Sequence, residues 1–154
     1  MDPLEVTTYA VHSVFAGLWT GSVLFVAVAV LPLARDGELN AVPLATVTGK
    51  LTTISRASAV VLLLTGVYMG IVRDTAEGLL TSTGGYLVVS MVLLWLGLMV
   101  AVEIGASRLT AGTERDKVRE PARRARRLFQ VASLLALGLL VNAGLVSAWN
   151  LGFL

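Results

Sequence analysis

Four stretches without a charged residue divide the chain, at residues 6–34, 57–72, 78–102 and 128–154. A helix needs roughly 20 apolar residues to cross a hydrocarbon core of about 30 Å. The pattern therefore predicts four membrane helices, at about 8–34, 52–72, 84–107 and 127–149, in one domain spanning residues 1–154. The second stretch is short between its charges, so its helix must begin within the LTTIS run while Arg56 snorkels toward the interface. Consecutive helices are joined by short connections, and the simplest packing is an antiparallel, up-down four-helix bundle. The expected fold class is all-α integral membrane protein.

Composition strengthens this reading. Hydrophobic residues make up 56% of the chain and charged residues 14%, an imbalance that a soluble domain has no means of hiding. Asp2 and Glu5 stand where a signal peptide would carry basic residues, so the first helix is expected to be retained. With no cysteine, disulfides, thiolate metal sites and C-x-x-C-H haem attachment are excluded.

Charge placement then predicts orientation. Eleven of the twelve Lys and Arg residues fall on one side of the bundle, and only Arg73 falls on the other. The positive-inside rule places both termini outside. The basic loop at 108–126 reads as a short amphipathic helix capped by Thr113, broken before Pro121 and restarted into helix 4. It has no aromatic residue to interleave with its arginines, which argues against nucleic-acid binding. Anionic lipid or a cytoplasmic partner is the alternative to a purely topological role.

Small residues mark the faces where helices approach closely. These are Gly17 and Gly21 in helix 1, Ser55, Ser58, Ala59, Thr65 and Gly66 in helix 2, and Gly97, Ala101 and Gly105 in helix 3. Helix 1 is expected to be contacted on two faces, one through its glycines and one through His12 and Trp19.

Ionisable groups inside a membrane are functional candidates by default. His12 is the only histidine and lies about one turn inside helix 1. The antiparallel arrangement places Met69, Met91 and Asn142 in the same outer layer, with Tyr68 and Tyr86 nearby. Imidazole and thioether suit Cu(I), which makes His12, Met69 and Met91 the candidate metal ligands. Trp19, Tyr68 and Asn142 are candidates for lining a pocket around them. Tyr9 and Trp149 suit an outer aromatic belt. At the inner boundary Arg56 and Glu103 fall at matching depth, as a structural ion pair or as a gate. The chain has no Walker loop, G-x-S-x-G or H-E-x-x-H motif, so a non-enzymatic role is favoured.

These residues carry a resemblance. The helix 1 pattern H…GLWTGSVLF…VLP (His12, Trp19, Gly21, Phe25, Pro32) resembles the first helix of the copper resistance D (CopD) family domain. The likeness continues in ISRASAVVLLLTGVYMG, with Ser55, Arg56, Thr65 and Gly66, and in GGYLVVSMVLLWL. The resemblance implies a multi-pass protein of a prokaryotic plasma membrane, concerned with copper uptake or tolerance and partnered by an extracytoplasmic copper-binding protein. A related four-helix group, the haem-binding protoporphyrinogen oxidases, has a histidine that maps onto His12, which implies haem b as the alternative cofactor. That group commonly carries a lysine early in helix 3, where this chain has Ser90 and Met91. A third reading is a non-catalytic subunit, in a homo-oligomer or a larger membrane complex, packing through its glycine faces.

Overall fold

The structure is a computed structural model and describes residues 2–72, 78 and 80–153. Arg73, the single cation on its side of the chain, lies outside the described residues. Four long helices run up, down, up and down: α1 (Pro3–Asp36), α2 (Ala41–Val72), α3 (Thr83–Thr113) and α4 (Arg119–Asn150). All four are long and apolar enough to cross a membrane. No strand occurs among the described residues. The principal contacts join each helix to the next, and α4 closes the ring against α1.

The helices start and stop for local reasons. Pro3 occupies the first helical turn of α1, where its missing N–H leaves no bond unmade. Gly37, at φ +81°, ends α1 in a left-handed conformation that a side chain would oppose. At the start of α3, Ser82 Oγ accepts a bond from the Gly85 amide at 3.0 Å. Within α1 a π-helical turn covers Val26–Val30. Pro32 has no N–H for the carbonyl four residues before it, and the wider turn absorbs that break in the ladder.

All four helices exceed their expected lengths. Starting at Ala41 rather than near residue 52, α2 buries Leu44, Thr48 and Leu51 at helical spacing against the bundle. The expected amphipathic helix at 108–126 does not form as a separate element. Instead, α3 continues to Thr113, a turn follows, and α4 already begins at Arg119. Thr113 is thus the last residue of α3 rather than a cap, and Pro121 lies in the first turn of α4, where proline is tolerated. Pro121 packs on Gly112 so closely that a Cβ there would sit 2.0 Å from the ring. Because the ring is rigid, Gly112→Ala is expected to destabilise the bundle by about 1–3 kcal/mol, as overpacking does elsewhere. A thermal melt followed by circular dichroism in detergent checks this.

Outward positions are apolar: Val28 is 74% exposed, Ile71 70% and Leu134 70%. Such a surface suits contact with lipid. Inside, the small-residue stripe of α3 does what its spacing predicts, with Gly105 against Phe129 and Gly97 against Leu135. The stripe on α1 does not. Gly17 and Gly21 are exposed and have nothing within 4 Å of where a Cβ would be, so α1 is packed on one face only. The face that α1 turns to its neighbours is the one carrying Trp19 and Val23, which leaves the glycines on the opposite side.

Burial is uneven along the bundle axis. The half bearing the 36–41 and 113–119 connections is tightly packed around Trp19, Val23, Leu98, Val102, Leu109 and Phe129. Beyond Trp19, Leu62, Leu98 and Ala136 toward the chain ends, only Gly85 and Asn142 are buried among the described residues of the four helices. Fewer side chains are buried there, and that end is the more open of the two.

Candidate functional site at the open end of the bundle

His12 sits on the inward stripe of α1, seven residues before the fully buried Trp19 and therefore about two turns nearer the open end. The ring is half-buried, and its Nδ1 lies 2.7 Å from Thr65 Oγ1 on α2. The direction of that bond follows from the threonine. Thr65 has one hydroxyl proton and directs it to the Val61 carbonyl at 2.7 Å, with the Leu62 carbonyl at 3.3 Å as a weaker second acceptor. With the hydroxyl proton on that carbonyl, the threonine oxygen is an acceptor for His12 Nδ1–H, the tautomer in which Nε2 presents a lone pair.

The other predicted residues take defined places around this pair. Met69 follows Thr65 by one turn on the same stripe of α2 and is half-buried. Met91 lies on the α3 stripe of Leu98 and Gly105, also half-buried and also toward the open end. Asn142 of α4 is buried; its Nδ2 donates to the Leu87 carbonyl at 3.1 Å and to Ser90 Oγ at 2.8 Å. This clamps α4 to α3 beside Met91, while Asn142 Oδ1 is buried without a hydrogen-bond partner. The contact register puts His12 level with Thr65, and Met69 and Asn142 about one turn further toward the open end. Trp19 is completely buried below them, its Nε1 donating to Ser55 Oγ at 2.7 Å, as part of the packed core.

Tyr68 is half-buried one position before Met69. Tyr86 is exposed and donates to the Leu80 carbonyl at 2.9 Å, which directs it to the start of α3 rather than toward His12. Trp149 packs over Gly84 at the same end of the bundle.

Two residues absent from the expected set belong to this region. Thr65 was legible only as a small residue on a packing stripe, yet its hydroxyl meets His12 Nδ1 at 2.7 Å. Trp95 follows Met91 by four residues, and its Nε1 is buried with no hydrogen-bond partner, as is Ser58 Oγ on α2. Buried polar atoms without partners are uncommon. No group of three or more His, Cys, Asp or Glu residues gathers among the described residues. Any soft-metal site here must draw on thioethers as well as imidazole.

Arg56 and Glu103 meet as the spacing predicts. Nε and Nη2 of Arg56 donate to the two carboxylate oxygens at 2.8 and 2.9 Å, a bidentate pair between α2 and α3. The arginine side chain is 65% exposed and the glutamate 32%, so the pair faces outward and does not line an interior path. That favours pairing at the membrane boundary over gating. Glu103→Gln is expected to lower the melting temperature, measured by circular dichroism in detergent. The exchanged pair, Arg56→Glu with Glu103→Arg, is expected to recover part of the loss.

Residues 45–149, covering α2 from its first turns through α4, match the family described as Copper resistance protein D (CopD). The matched segment begins after α1 and so does not include His12. No curated protein and no solved structure matches the chain. Since the match covers more than half of the chain and the four apolar helices fit a multi-pass membrane protein, the chain belongs to the copper resistance protein D (CopD) family.

Proposed function

We propose that the chain binds Cu(I) as cargo at the open end of its bundle, with His12 Nε2 as principal ligand and Met69 and Met91 supplying thioether sulfur. The carrying observation is the 2.7 Å contact of His12 Nδ1 with Thr65 Oγ1, which holds the ring and, with the threonine proton on the Val61 carbonyl, goes with an unprotonated Nε2. Metal-bound histidines are commonly held in this way, with the second ring nitrogen donating to a fixed acceptor. The softness of thioether and imidazole, the half-burial of all three residues and the family match to copper resistance support the same reading.

The excess of Lys and Arg on the opposite side supports an orientation with the open end and both termini outside the membrane. Copper then reaches His12 from the outer face, directly or from an extracytoplasmic copper-binding partner. The tightly packed half below Trp19 leaves the monomer without an evident path onward, so a second copy or another membrane subunit is the natural recipient.

Titration of the purified protein with Cu(I) against a chromophoric chelator tests the proposal. One tight site per chain is expected. Saturation without uptake, or binding indifferent to His12→Ala, would falsify it. A bare Nε2 also suits an axial bond to haem b, and the visible spectrum of the same preparation separates the two. A Soret band lost in His12→Ala would assign the histidine to haem instead.

A further inference from the structure

We infer that the groove between α1 and α4 at the π-helical turn of α1 is a binding site for an anionic phospholipid, its phosphodiester held between Arg35 and Arg126. The groove has a volume of about 200 Å³ and is walled by Val28, Leu31 and Pro32 from α1 and by Phe129 and Gln130 from α4. Its two arginines lie where the apolar stretches end, Arg35 next to the last residue of α1 and Arg126 just before the uncharged run that starts at Leu128. That is headgroup depth on whichever side of the membrane it lies.

Three observations fit this occupant. First, neither arginine has a carboxylate partner among the described residues, whereas Arg56 and Arg124 are each paired, with Glu103 and Glu120. Two unpaired guanidinium groups flanking one groove offer planar, bidentate donors that match a phosphate. Second, Val28, Leu31, Pro32 and Phe129 give the groove an apolar side beside its polar one, and Val28 is 74% exposed, so an acyl chain leaving the groove continues along a lipid-facing helix. Third, the groove has a structural origin. Leu31 N–H bonds to the Val26 carbonyl across the π turn, and Pro32 has no N–H, so the Ala27 carbonyl in the groove wall loses its usual helical donors. A headgroup hydroxyl supplies one. Basic pockets between membrane helices commonly take lipid headgroups.

Spin-labelled phosphatidylglycerol and phosphatidylcholine, added to the protein in phosphatidylcholine vesicles, provide the test. The wild-type protein is expected to select the anionic lipid. Arg35→Gln with Arg126→Gln is expected to lower that selectivity by about fivefold per arginine, the ratio set by ~1 kcal/mol for each cation at a lipid surface. Arg35→Lys with Arg126→Lys keeps the charges and is expected to keep most of the selectivity, which separates lost charge from lost fold. Arg123→Gln with Arg127→Gln removes two neighbouring charges outside the groove and is expected to have little effect. An equal loss in that control would overturn the proposal in favour of a diffuse basic surface. Abolition of the selectivity by excess inorganic phosphate would overturn it in favour of a free anion.

Discussion

His12→Ala is expected to weaken Cu(I) binding by at least about 100-fold, and Thr65→Val by about 10- to 100-fold, while Thr65→Ser stays near wild type. Removing a partner that orients a metal-bound histidine typically costs 10- to 100-fold in affinity, so losing the ligand itself should cost no less. Thr65→Val keeps the shape of the side chain and removes the oxygen that accepts from His12 Nδ1 at 2.7 Å. The ring is then free to place its proton on either nitrogen, and part of the population presents Nε2–H, which does not ligate. Thr65→Ser restores an acceptor at the same position. A nitrogen-15 spectrum of the metal-free protein supplies a readout that packing alone would not move. Wild type should show Nδ1 protonated and Thr65→Val a mixture of tautomers. Wild-type affinity in His12→Ala would remove the histidine from the account. Loss in His12→Ala with none in Thr65→Val would keep the ligand and reduce Thr65 to packing.

How far the sequence leads differs between the fold and the site. The four uncharged stretches were enough for the helix count and the up-down order, because a bilayer leaves an apolar run of that length few other structures. The helix ends were not legible in the same way. Residues 41–51 and 108–113 alternate polar and apolar positions and read as loop, but Leu44, Thr48, Leu51 and Leu109 are buried against the bundle and extend α2 and α3. Tertiary packing, not local hydropathy, sets those boundaries. The Gly17 and Gly21 stripe misled for a related reason. A small residue permits close approach without requiring it, and on α1 the neighbours chose the face of Trp19. At the candidate site, antiparallel depth brought His12, Met69, Met91 and Asn142 to one end of the bundle, within about a turn of one another. Thr65 escaped notice because a threonine in a helix usually returns its proton to the preceding turn, as it does here to Val61. Only the geometry shows that its hydroxyl also meets His12.

The largest stability effect is expected at Trp19, where replacement by alanine should cost about 3 kcal/mol and replacement by phenylalanine about 1 kcal/mol. The indole is wholly inaccessible, the largest of the fully buried side chains, and its Nε1 donates to the buried Ser55 Oγ at 2.7 Å. In water most of such a loss would come from transferring apolar area. In a bilayer the unfolded helices already lie in hydrocarbon, so that part nearly cancels. What alanine forfeits is dispersion contact with its neighbours in α1, α2 and the rest of the core, plus the interhelical hydrogen bond. Phenylalanine keeps most of the contact and forfeits the bond alone, for which measured interhelical pairs in membranes average about 0.6 kcal/mol and reach about 1.7 kcal/mol. Ser55→Ala should fall in the same range, since it leaves the indole N–H buried without an acceptor. Combining Trp19→Phe with Ser55→Ala should cost less than the two singly, because the second change removes a group the first has already orphaned. Unfolding in mixed micelles of increasing dodecyl sulfate content, followed by circular dichroism, measures each variant. Equal losses for Trp19→Ala and Trp19→Phe would mean that the hydrogen bond, not packing, joins α1 to α2 at this level. Because His12 and Thr65 stand above Trp19 on the same two helices, the alanine variant should also loosen the 2.7 Å contact between them and weaken Cu(I) binding without touching a ligand.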